Sequence, residues 1–176
     1  MKRLLALGGV SALCVLAFGL ARGDEKPAAA DKSAPSLECI KKLVGDWVEA
    51  DKDGKPTAKV VSSFRVTAGG SAVREIIFPD SEMEMVTIYT QEGADLVSTH
   101  YCILGNQPRF RAEAGKQSNQ IVFKCVGGGN LNTAKDTHMG QGTLTLVDAD
   151  HLQLECVKCE NGKACETHKM SLVRKK

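Results

Sequence analysis

The sequence predicts an all-β fold, a single antiparallel up-and-down β-barrel of about ten strands with a short N-terminal helix. Three observations carry this. From Gly45 onward, alternating or apolar runs of strand length follow one another across hairpin-length breaks. No helical run intervenes, which excludes a parallel α/β sheet. Finally, Trp47, the only tryptophan, opens the series in Gly45-Asp46-Trp47, and Arg174 closes it. An indole filling the floor of a barrel, with a guanidinium stacked over its face, is what a plugged end requires.

Residues 1–23 read as a signal peptide. Lys2 and Arg3 form a basic start, and Leu4 to Leu20 is an apolar run broken by Gly8, Gly9 and Ser11. Ala21-Arg22-Gly23 then sets small residues at the two positions that a signal peptidase reads. Cleavage is expected before Asp24, placing the chain in a periplasmic or extracellular space with no stable membrane span. The competing reading is an uncleaved anchor, because the apolar run approaches spanning length. Cys14 lies inside that run instead of after it, which argues against a lipidated cysteine. Residues 24–35, rich in Ala, Lys, Asp and Pro, bury little and read as a flexible linker. Residues 36–176 are then one domain, long enough for a single core.

Ser36 stands where a helix cap would, and Leu37, Ile40, Lys41 and Val44 follow at helical spacing. A helix is therefore expected over 36–43, covering one barrel end. The first strand, 45–50, ends at Asp51 to Pro56, where Asp53-Gly54 supplies the positive φ of a tight turn. Further strands are expected at 58–67, 72–78, 83–90, 95–104, 109–114, 120–126, 138–147, 151–159 and 163–173. Between the seventh and eighth lies a glycine-rich loop, Gly127 to Asp136; Asn161-Gly162 turns the last hairpin. Closure removes the exposed edges of so many hairpin-linked strands and is favoured over the competing β-sandwich.

The formal charge is +2, with no basic patch interleaved with aromatics, so nucleic acid is not an expected partner. Six cysteines follow the leader: Cys39, Cys102, Cys125, Cys156, Cys159 and Cys165. An even number in an exported chain points to disulfides. No Gly-x-Ser-x-Gly, no His-Glu-x-x-His and no placed acidic pair is present, so no catalytic residue is assigned.

The helix, the Gly-x-Trp, the ten meander strands and the late arginine resemble the calycin group of lipocalins, fatty-acid-binding proteins and nitrobindin-like barrels. Thr99-His100-Tyr101-Cys102, continuing through Gly105-Asn106-Gln107-Pro108-Arg109, also resembles an uncharacterised family of exported bacterial proteins with a similar barrel. The likeness runs from Leu37 to Arg174. It implies a small apolar or amphiphilic ligand inside the barrel, and its nitrobindin branch implies haem.

Strand alternation nominates the lumen-facing residues. Leu96, Ser98, His100, Cys102 and Leu104 share one face, as do Ala164, Glu166, His168, Met170 and Leu172. His100 is the first candidate: a neutral imidazole among apolar walls can ligate haem iron, bond a ligand or act as a base, against a plain structural role. Tyr101 and Arg109 are the further ligand-binding candidates, Arg109 as a receptor for a carboxylate, against a solvated outer position. Cys156-x2-Cys159 followed by Cys165-x2-His168 places four soft ligands across one hairpin, a set that suits zinc. A Cys159–Cys165 disulfide across a three-residue loop at 161–163 explains part of that pattern more simply, and free thiols are the third reading. Three functions follow as expectations: an exported ligand-binding barrel, a zinc- or haem-dependent protein, or a filled barrel acting as an interaction module of the cell envelope.

Overall fold

A computed structural model describes residues 34–176, so the expected signal peptide and nearly all of the linker lie outside the described residues. The described chain is a helix, α1 (Leu37–Lys41), followed by ten strands. These are β1 (Gly45–Ala50), β2 (Pro56–Thr67), β3 (Ala72–Ile77), β4 (Met85–Glu92) and β5 (Asp95–Tyr101), then β6 (Gln107–Ala114), β7 (Gln120–Gly129), β8 (His138–Leu146), β9 (His151–Glu160) and β10 (Lys163–Arg174). Each pairs antiparallel with its neighbour in sequence, and β1 pairs with β10, so the sheet closes into a barrel. Closure disposes of the sandwich alternative.

The β1–β10 seam is short: Trp47, Val48 and Glu49 face Arg174, Val173 and Leu172. Around it the sequence plugs one end. The Trp47 indole N–H donates to the Leu43 carbonyl at 2.8 Å, and the Arg174 guanidinium stands 4.3 Å from the ring centroid. Arg174 also donates to the carbonyls of Val44 (2.6 Å), Lys42 (3.0 Å) and Ala149 (2.9 Å), tying the chain before β1 to the β8–β9 turn. Gly45 permits this approach. Its φ is +133°, and a Cβ there would meet the Arg174 Nη1 at 2.8 Å. α1 is shorter than expected, because the chain must leave the helix to reach Gly45. It still buries Leu37 and Ile40 in the core, and the Leu37 N–H donates to Gln91 Oε1 at 3.0 Å.

From that end the interior is filled by Trp47, Phe64, Tyr89, Leu96, Phe110 and Phe123 with aliphatic neighbours. Tyr89 meets Phe123 edge-on at 5.5 Å and Phe64 at 6.3 Å. Burial of such aromatics supplies much of the driving force for closure.

Two local differences from expectation have geometric causes. β7 runs on through Gly129 because Gln107 and Pro108 of β6 pair with Gly129 and Gly128; a Cβ on Gly128 would lie 2.1 Å from the Gln107 carbonyl oxygen. The glycine-rich segment is therefore half strand, and the true connection is 130–137. The last hairpin turns on two residues, Asn161 (φ +50°) and Gly162 (φ +72°), not three. Among the described residues no helix is long and apolar enough to cross a membrane.

Candidate functional site

The barrel is not packed alike throughout. Toward the end formed by the β1–β2, β3–β4, β5–β6, β7–β8 and β9–β10 turns, inward positions open progressively. Along β10, Leu172 is sealed, Met170 is half-buried, and the His168 side chain is 56% exposed. β1 covers only the last three residues of β10, which leaves the rest of that wall beyond the seam. Met170, Cys125 and Cys156 are half-buried around this opening.

Below it runs a polar row. Phe64, Glu75, Thr87 and His100 are directly paired across β2 to β5, so all four share the inward face. Glu75 is buried and accepts hydrogen bonds from the Ser62 hydroxyl (2.5 Å) and the Tyr89 phenol (2.6 Å). Thr87 Oγ1 lies 2.9 Å from His100 Nδ1. Burial raises the Glu75 carboxyl above its ordinary range, against the two hydroxyls that hold it down. Burial and then the Glu75 charge raise Tyr89 well above its usual value. Burial alone lowers His100 to about 4, so the imidazole is neutral at physiological pH.

Which ring nitrogen carries the proton follows from whether the Thr87 hydroxyl donates to Nδ1 or accepts from it. Among the described residues Nε2 has no hydrogen-bond partner; the sealed, unpartnered side-chain atoms are Thr57 Oγ1 and Asn106 Oδ1.

Of the other expected ligand residues, the structure brings neither to the lumen. Tyr101 follows an inward residue and so points outward, half exposed. Arg109 is also outward, paired with Glu92 at 2.5 Å on the surface. Tyr101 follows inward His100 on β5, and Arg109 of β6 is paired with outward Thr99.

The zinc set is not assembled either. Among the described residues no group of three or more His, Cys, Asp or Glu side chains could hold a metal ion. The two-residue turn is the reason: it pairs Cys159 with Ala164 and leaves Cys165 in a register shift between Ala164 and Glu166. Cys165 turns its thiol to the Lys158 carbonyl at 3.5 Å. The Cys159–Cys165 disulfide is corrected on the same ground, and all six described cysteines are free. His168 pairs with Cys156 across the hairpin but lies 3.3 Å from Glu166, in solvent. Burial, with Cys102 and Cys159 adding, pushes the Cys156 thiol up to about 11, so it is protonated and unreactive at neutral pH.

Haem does not fit these residues. His100 is only 3% exposed, which leaves no open face for a macrocycle.

Sequence reasoning missed Glu75, Tyr89, Thr87 and Ser62. A signal existed: Arg74 and Glu75 are adjacent in a strand, so one charge had to face inward.

The fold defines a closed ten-stranded antiparallel barrel, consistent with the calycin type, carrying a buried imidazole–carboxyl row. Compared with known proteins, the chain matches no family model and no curated protein.

Proposed function

We propose that this is an exported barrel that binds a small apolar or amphiphilic molecule at its open end, above His100. The observation that carries the reading is the state of that imidazole. Its Nδ1 is bonded to Thr87, burial holds the ring neutral, and Nε2 has no partner among the described residues. A polar ring in a barrel wall that also carries half-buried Cys125, Cys156 and Met170 suits a ligand with an apolar body and one polar group. The packed aromatic half confines the ligand to the upper barrel, so long-chain lipids are disfavoured and short amphiphiles favoured. Export rests on the leader-like residues 1–23.

The test uses decanoic acid, protonated fraction included, added to isotopically labelled protein. Saturable shifts of the His100 imidazole nitrogens, with the Trp47 indole signal unmoved, are expected. Shifts that never saturate, or none at His100, refute the reading.

One observation favours a second reading, an envelope interaction module. Tyr101, Ile103 and Leu104 are exposed together on the β5–β6 turn, and Leu104 is 57% exposed. Such a cluster is suited to a partner surface. If it serves this role, Ile103→Ser/Leu104→Ser will move the protein from the envelope fraction to the soluble one; unchanged partitioning refutes it.

A further inference from the structure

The outer face of the barrel carries a cleft of its own. Across β7 to β10, Gln120, Thr145, Gln153 and Ser171 are directly paired in one row, and Thr143, Glu155 and Lys169 in the row beside it. Their sequence neighbours Leu144, Leu154 and Met170 pack inward, so both rows face out. The rows border a cleft of about 350 Å³, at the small end of the ~300–1,000 Å³ usual for ligand sites.

The sequence builds this cleft. Thr145 faces out yet is only 8% exposed, because the Gln120 side chain reaches over it. Gln120 Nε2 donates to Thr145 Oγ1 at 3.2 Å, and its Oε1 accepts from the Lys116 N–H at 3.1 Å. Gly115 makes room for that arm, since a Cβ there would lie 2.5 Å from Gln120 Cγ. At the other wall, Lys169 Nζ meets Glu155 Oε2 at 2.7 Å. The Thr145 hydroxyl, accepting from Gln120, keeps its own proton to donate.

These residues select a ligand class by elimination. Of the side chains that line the cleft only Lys169 and Glu155 are charged, and they pair with each other. That pairing leaves no free cation for an anion and too few carboxylates for a divalent metal. No aromatic ring lines the cleft for a planar base to stack on. Each of β7 to β10 is paired on both sides, so a peptide strand finds no edge to extend. What remains are carboxamides and hydroxyls, groups that both donate and accept. Their complement is a compact, uncharged ring bearing hydroxyls all round.

We propose that this cleft binds a neutral monosaccharide unit, hydrogen-bonded by Gln120, Thr145, Gln153 and the Glu155–Lys169 pair. Binding makes and breaks no covalent bond. The site lies outside the barrel and does not depend on the His100 reading.

The experiment adds D-glucose, D-galactose, D-mannose or D-xylose, each to about 100 mM, to isotopically labelled full-length protein. At least one sugar should give saturable shifts of the Gln120 and Gln153 side-chain amides, with a Kd of about 10 mM or tighter and the His100 imidazole signals unmoved. Thr145→Val keeps the shape of the floor but removes its hydroxyl; Gly115→Ala keeps every lining residue but displaces the Gln120 arm. Each should weaken binding by about 5-fold or more, whereas Thr145→Ser should stay within about 2-fold of wild type. Lys124→Ala, on the same outer face beyond the cleft, should change nothing. If Gly115→Ala fails to fold, the threonine variants still decide. No saturable shift with any of the four sugars, an equal response to sodium sulfate, shifts confined to His100, or wild-type affinity in Thr145→Val overturns the proposal.

Discussion

Acid should weaken this barrel through His100, and replacing that residue should remove the effect. The folded-state value of about 4 lies below the ordinary 6.5, so folding favours the neutral ring. A depressed value means that stability is complete above pH 6.5 and falls as the pH drops toward 4, because the unfolded chain binds the extra proton. At pH 4.5 the difference amounts to about 2.5 kcal/mol, or roughly 10 °C in Tm for a domain of this size. Glu75 acts with the opposite sign. Its raised value makes the protonated carboxyl the favoured form, so its contribution is greatest in acid and declines as the pH rises through its folded value. Wild type alone therefore shows the sum of two opposed effects. Urea unfolding of wild type and His100→Gln at pH 7.5 and 4.5 separates them, since glutamine can still meet the Thr87 hydroxyl. Relative to the variant, wild type should lose about 2.5 kcal/mol between the two pH values. A difference constant to within about 0.5 kcal/mol would refute the buried, neutral imidazole.

Three further predictions concern the packing that holds the site. Tyr89→Phe keeps the ring contacts with Phe64 and Phe123 but strips a donor from buried Glu75; it should destabilise by about 1–3 kcal/mol, and the penalty should shrink in a Glu75→Gln background when a double-mutant cycle is measured. Arg174→Ala leaves three backbone carbonyls without their donor and uncovers Trp47; a loss of about 2–4 kcal/mol in urea melts is expected, with Arg174→Lys recovering less than half, since an ammonium cannot span all three. Gly45→Ala combines a left-handed φ with a contact at 2.8 Å, and should lower stability by about 1–3 kcal/mol in thermal melts, together with a red shift of Trp47 fluorescence.

The strand order could be read because each run is bounded by its own turn chemistry, as at Asp53-Gly54 and Asn161-Gly162. Trp47 and Arg174 could be read as the end closure because each is the only residue of its kind at an end of the strand series. What alternation does not give is register. A one-residue difference in the last turn moves Cys159 from Cys165 to Ala164, which dissolves both the disulfide and the zinc set. His100 is prominent in the sequence because it stands in an apolar alternating run. Glu75 was not, because a carboxylate in a strand is ordinarily solvated, and only its pairing with Thr87 shows it inside.

Ligand carriage at the open end is most directly tested by a native mass spectrum of the protein purified from the exported fraction of a producing cell. A small organic mass that leaves on denaturation, and is absent from His100→Ala, is the predicted result. Bare polypeptide mass in both proteins, persisting after incubation with short amphiphiles, would contradict it.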